Sequence, residues 1–161
     1  MTDNKIQILA ISSLLKRELI IPKYQRPYKW KEKNVIQLLE DISNSFFANK
    51  KSYRIGTIIL HNDKEINRLN VVDGQQRLVT IAIILYFLKL TPSILKEKFP
   101  HATSKNNIKH NFNKIKNWFE NWDDNNKERY KNYILNNCEI VKIELEDLSE
   151  AFQLFDSQNA R

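Results

Sequence analysis

The sequence predicts an α+β fold: a small mixed β-sheet with a β-hairpin feeding a buried central helix, plus additional helices. Three patterns predict it. The runs Tyr53 to His61 and Ile66 to Val72 are β-rich, with Asn62-Asp63 between them as a hairpin turn. Directly after them, Gln75 to Leu90 is apolar nearly all round (Leu78, Val79, Ile81, Ile83, Ile84, Leu85, Phe87, Leu88), which suits a helix at the centre of a fold. Finally, Val141, Ile143 and Leu145 alternate with Lys142, Glu144 and Glu146, the pattern of a half-buried strand.

The other elements follow in order. A first helix is expected from Ser12 or Ser13 through Leu14, Leu15 and Leu19. An extended segment, Lys23-Tyr24-Gln25-Arg26-Pro27-Tyr28-Lys29-Trp30, comes next, since Pro22 and Pro27 bias the residues before them away from helix. Val35, Leu38, Leu39, Ile42 and Phe46 recur at helical spacing. The hairpin and the apolar helix follow, and Thr91-Pro92 ends that helix. Ile108, Phe112, Ile115, Phe119 and Trp122 step by 4, 3, 4 and 3, an amphipathic helix, and Tyr130, Tyr133 and Ile134 mark another. Leu148, Phe152 and Phe155 belong to a last helix, after which the sequence stops in polar residues; a fragment of a longer protein is expected.

Composition narrows the class. The 161 residues are 42% hydrophobic and 28% charged, as in one ordinary globular domain. The most apolar stretch, Leu78 to Leu88, spans roughly 17 Å as helix, short of the ~30 Å bilayer core, so no membrane partner is expected. The lone Cys138 reflects a reducing compartment or carries no information. No secretory signal opens the chain, and the expected location is cytoplasmic. A net charge of +7 suits a polyanionic partner, but equally the Lys- and Asn-rich bias of an AT-rich genome. Lys105, Lys109 and Lys116 read more readily as a solvated face than as a DNA-contacting one. Two glycines, Gly56 and Gly74, cannot supply a P-loop or a dinucleotide fingerprint. His61, His101 and His110 form no metal spacing with Cys138.

Chemistry concentrates in Asp73-Gly74-Gln75-Gln76-Arg77. One reading is a helix start, with Asp73 as N-cap and Gln76 reaching back as in a capping box. It leaves Gly74 and Arg77 unexplained, since glycine is a poor helix former and a cation is misplaced at the positive end of a helix dipole. The other reading is an anion site. Backbone N–H groups at a helix N-terminus bind phosphate, Gly74 allows close approach, and Arg77 grips oxygens bidentately. Gln75 and Gln76 would then orient a phosphate, a base or a water, and Asp73 would hold Mg²⁺ or pair with an arginine. The segment Tyr24 to Trp30 alternates basic and aromatic residues, as a phosphate-and-stacking site does, or as a loop docked on the core does.

Ile21 to Trp30, followed by Val72-Asp73-Gly74-Gln75-Gln76-Arg77-Leu78-Val79-Thr80, resembles the DGQQR-motif family, the N-terminal domain of GmrSD-type modification-dependent restriction enzymes and related phage-defence proteins. Phe152 to Arg161 is similar to a third, less strict block, in which a glycine usually follows the arginine. The resemblance implies a fold like the ParB/sulfiredoxin superfamily. It implies binding and hydrolysis of a nucleoside triphosphate with Mg²⁺, coupled in longer proteins to cleavage of modified DNA by a downstream nuclease-type domain. By the same resemblance, Asp73, Gln75 and Gln76 carry catalysis, with Asp73 a Mg²⁺ ligand. Gln25, Arg26, Gly74, Gln76, Arg77, Asn159 and Arg161 hold the nucleotide. Two rival functions stand beside it: a DNA-binding module without turnover, and a purely structural fragment.

Overall fold

The computed structural model describes residues 6–22, 24–96 and 102–159, with backbone alone for 102, 158 and 159. Its elements are β1 (Ile6–Ala10), α1 (Ile11–Leu15), β2 (Leu19–Ile20), α2 (Glu32–Phe47), β3 (Tyr53–Asp63), β4 (Arg68–Asp73), α3 (Gln75–Phe87), a 3-10 turn (Ser93–Lys96), α4 (Ala102–Trp118), α5 (Asp124–Asn136), β5 (Cys138–Leu145) and α6 (Leu148–Asn159). The strands form one mixed sheet in the order β1-β5-β3-β4-β2. The β3–β4 hairpin and the β1–β5 pair are antiparallel, while β5 on β3 and β2 on β4 are parallel. The fold is α+β, as the sequence predicts.

Both faces of the sheet are covered. Ile58 and Leu60 of β3, Val71 of β4, and Cys138 and Ile140 of β5 pack into the main core with the helices up to α5. Ile59, Val72 and Leu145, on the opposite face, pack with Ala151 of α6. Helix α3 lies at the heart of the main core, with every residue from Leu78 to Leu85 buried. Each such apolar side chain contributes roughly 1.5–3 kcal/mol of transfer free energy. None of the described helices is long and apolar enough to cross a membrane.

The structure departs from the sequence reading at several edges. Helix α1 stops at Leu15, and Leu19 instead pairs in parallel with Leu69 while its side chain is buried. Strand β1, for which the sequence reading had no element, pairs with β5 along the sheet edge, leaving Ile6 and Ile8 exposed. The hairpin turn is Lys64–Asn67, not Asn62-Asp63: β3 runs through Asp63, whose carboxylate accepts the Glu65 N–H (3.2 Å), and Asn67 takes φ +52°. Helix α3 ends at Phe87, before Thr91-Pro92, because Lys89 turns left-handed (φ +72°) and Leu90 N–H returns to Leu85 O (2.9 Å).

Strand β5 shows the largest reassignment. With helices on both faces, Cys138, Ile140 and Lys142 are buried, whereas Val141 and Ile143 are half-buried. Lys142 is only 3% exposed. Its ammonium donates to Glu144 (3.0 Å), which also accepts from Asn62 (2.8 Å) and Arg17 (3.3 Å). Burial alone would push the Glu144 carboxyl up; those three donors outweigh it and hold the group below its ordinary value. A carboxylate depressed in the fold contributes stability above its unfolded pKa and loses it as pH falls through the folded one. The denaturant midpoint should therefore drop between about pH 5 and pH 3, and Glu144→Gln should flatten that drop. Equal pH slopes in the two proteins would contradict the assignment.

Candidate functional site

The chain leaves β4 at Asp73 and enters α3 at Gln75, so a single residue makes the corner. That residue, Gly74, has φ +93° and ψ 7°, the left-handed region that side chains disfavour. Space for a side chain is tight as well. A Cβ would lie 3.0 Å from the Thr57 carbonyl oxygen and 3.3 Å from Ile58 Cα. The first intrahelical bond is Leu78 N–H to Gly74 O (3.0 Å), so the N–H groups of Gln75, Gln76 and Arg77 open the helix ahead of it. Gly74, not Asp73, is the N-cap, and the Asp73–Gln76 capping box is not formed.

Gln76 turns outward to the loop between Ile20 and α2 instead. Its Oε1 accepts from Lys29 N–H (2.7 Å) and Trp30 N–H (3.1 Å), and its Nε2 donates to Pro27 O (3.0 Å). Gln25 holds the same loop by donating to Val72 O (2.8 Å). The loop is fixed from the other side by α4. Ser104 accepts Tyr28 N–H (2.8 Å), Asn107 donates to Tyr28 O (2.9 Å), and Asn111 donates to Trp30 O (2.8 Å) and Tyr28 OH (2.9 Å). Tyr28 is buried, and its hydroxyl passes a hydrogen bond to Thr80 (2.7 Å), which donates to Gln76 O (2.8 Å). Burial pushes the Tyr28 phenol up despite the partners that favour its charged form.

The result is a cavity of about 400 Å³ between the loop, the α3 N-terminus and α6. Arg26, Lys29 and Arg77 bring positive charge to it, Asp73, Gly74, Gln75 and Gln76 form its floor, and Trp30 and Phe155 are aromatic walls. Asp73 is half-buried; desolvation pushes its carboxyl up, and the Gly74 N–H with the charges of Arg77 and Arg26 oppose that in part. The carboxylate therefore lies within electrostatic reach of both guanidinium groups. Among the described residues, no group of three or more His, Cys, Asp or Glu is placed to hold a metal ion.

Of the residues singled out in the sequence, Arg26, Asp73, Gly74, Gln75, Gln76 and Arg77 meet at this cavity. Gln25 is drawn to the end of β4. Asn159 closes α6 with its side chain outside the described residues, and Arg161 lies outside them altogether. The sequence reading missed Gly56 as a site residue. The Arg77 guanidinium lies across it at a bulge of β3, where an added Cβ would be 2.3 Å from Arg77 Nη1 and 3.2 Å from Cζ. The signal was present: a glycine inside a strand pattern marks close approach of another group. The guanidinium also lies over the Trp30 ring, 5.9 Å from its centroid. Gly56→Ala should leave the fold intact but displace Arg77, lowering anion affinity about as far as Arg77→Ala does; unchanged affinity would show that the guanidinium has room to shift.

Residues 10–161 match the model of a family described as GmrSD restriction endonuclease, N-terminal domain. No curated protein matches the chain.

Proposed function

We propose that this chain, which belongs to the family of GmrSD restriction endonuclease N-terminal domains, is a regulatory domain that binds a nucleoside triphosphate and hydrolyses it. One observation carries the reading: three cations, Arg26, Lys29 and Arg77, converge with the opening of a buried helix at a corner that has no Cβ. Each part suits a phosphate chain. The N–H groups of Gln75 and Gln76 point their partial charge at an anion. Gly74 lets oxygens approach the backbone. Arg77, which lies against Gly56 and near the Trp30 ring, offers a planar fork for two oxygens. A cavity of about 400 Å³ also suits a small anionic ligand better than a duplex.

Asp73 fits a magnesium ion carried in on the phosphates, because Mg²⁺ is held by one or two carboxylates together with phosphate oxygens and water. When bound, that ion would neutralise charge on the phosphate chain. Gln75 is the side chain of the turn left to orient an attacking water, since the Gln76 amide is engaged with the loop backbone. In a longer DNA-targeting restriction protein, occupancy of this site would govern a nuclease-type domain.

A thermal-shift screen against ATP, GTP, CTP and UTP with Mg²⁺ tests the proposal. A ligand at about 100 times its Kd stabilises the fold by ~2.7 kcal/mol, several degrees for a chain this size. The shift should vanish in Arg77→Ala, while Gln75→Ala should keep the shift and lose phosphate release. A shift that survives Arg77→Ala would remove the phosphate site from this turn. Salt-sensitive DNA binding with no nucleotide effect would favour a DNA-binding module instead.

A further inference from the structure

Trp30 and Arg77 line a second, smaller cavity of about 190 Å³, so the two cavities share a wall. Arg77 is the one residue of the Asp73–Arg77 turn that reaches it. The remaining polar lining comes from α2, as Asn34, Gln37 and Asp41, and from Tyr53 at the start of β3. Gly56 keeps the guanidinium at the shared wall, because any side chain there would displace it.

The two cavities differ in chemistry. Three cations line the larger one, whereas the smaller one presents a carboxylate and two amides beside Arg77. Its hydrogen bonds already fix how those groups are presented. Lys31 N–H donates to Asn34 Oδ1 (3.0 Å), which leaves the Asn34 amide N–H groups as donors. Gln37 Nε2 donates to Asp41 Oδ1 (2.9 Å), which leaves Gln37 Oε1, Asp41 Oδ2 and the second lone pair of Asp41 Oδ1 as acceptors. Burial pushes the Tyr53 phenol up, the charge of Asp41 adds to that and Arg77 opposes it, so carboxylate and guanidinium act on one rim. A volume of about 190 Å³ is below the ~300 Å³ at which drug-sized ligand pockets begin, and suits one planar ring system.

Building on the phosphate-site reading above, we infer that this second cavity is the nucleobase subsite, and that its Asp41 and Asn34 select a guanine edge. An ionised carboxylate only accepts hydrogen bonds, and accepts two side by side. Guanine offers a ring N–H and an exocyclic N–H₂ next to each other, with a carbonyl oxygen beyond them for the Asn34 amide. Adenine and cytosine set a ring acceptor beside their one exocyclic amine, and uracil sets its single N–H between two carbonyls. Each would aim an acceptor at Asp41. Trp30 gives the base an aromatic wall to stack on.

Titration calorimetry with GTP, ITP, ATP, CTP, UTP and inorganic tripolyphosphate, all with Mg²⁺, tests this. ITP lacks only the exocyclic amine of GTP. Wild-type protein should bind GTP about tenfold tighter than ITP and tighter again than tripolyphosphate, the effect of single hydrogen bonds to a charged group. Asp41→Asn should bring GTP to the ITP level and leave tripolyphosphate unchanged. Asn34→Asp, which keeps the acceptor for Lys31 N–H and removes the donor, should weaken GTP likewise. If Asp41→Asn and Asn34→Asp both bind GTP as wild type does, or if wild type binds every nucleotide and tripolyphosphate alike, the base lies elsewhere. In that case loss of tripolyphosphate binding in Arg77→Ala would still uphold the phosphate site. If wild-type protein binds neither nucleotide nor tripolyphosphate, both readings fall.

Discussion

At Gly74 the chain passes from the end of a strand into the first turn of a helix within one residue, through a left-handed backbone in tight space against β3 that favours glycine. The geometry of the site follows from that corner. The N–H groups of Gln75 and Gln76 precede the first intrahelical bond, and Asp73 remains at the strand end within electrostatic reach of two arginines. Gln76 emerges toward the loop, and Arg77, on the first turn of α3, crosses β3 at the chain's other glycine. Two residues without side chains, both at the same stretch of β3, thus shape one arginine-centred cavity.

A second constraint is the loop that closes the cavity. Its described residues form no strand or helix, so most of its backbone hydrogen bonds come from side chains. Gln76 does this from one side and Ser104, Asn107 and Asn111 from the other, while Gln25 ties the loop to the Val72 carbonyl of β4. The Tyr28 hydroxyl links both sides through Thr80. The amide-rich α4 is therefore more than a solvated helix: its inner polar residues hold the segment that presents Lys29 and Trp30. Fixed donors of this kind cost little reorganisation when charge arrives, which is what a phosphate-binding pocket requires.

How far the residues themselves revealed this varies by element. Helices α2, α4 and α5 were legible because one face of each is apolar at helical spacing, and α3 because its apolar residues run all round. The site turn was legible because Gly74 and Arg77 are costly choices for an ordinary helix start. Strands β1 and β2 were not, since both are short and depend on ladders with β5 and β4 far along the chain. The faces of β5 were misassigned because alternation predicts one wet face, whereas the face of Lys142 also carries Cys138 and Ile140 into the main core, and α6 covers the face of Ile143 and Leu145; Lys142 is buried through its partnership with Glu144. Gln76 looked like a cap and Gly56 like a plain strand residue; contacts across the chain decide both.

The most direct test uses the chain's two glycines as reporters. Protein labelled with ¹⁵N-glycine should give two backbone amide signals, one from Gly56 beneath the Arg77 guanidinium and one from Gly74 at the helix opening. On titration with each nucleoside triphosphate and Mg²⁺, the account predicts that both signals move together and saturate at one ligand per chain. Two signals that stay fixed while nucleotide is in excess would contradict the claim that the Gly74–Arg77 turn is a nucleotide site.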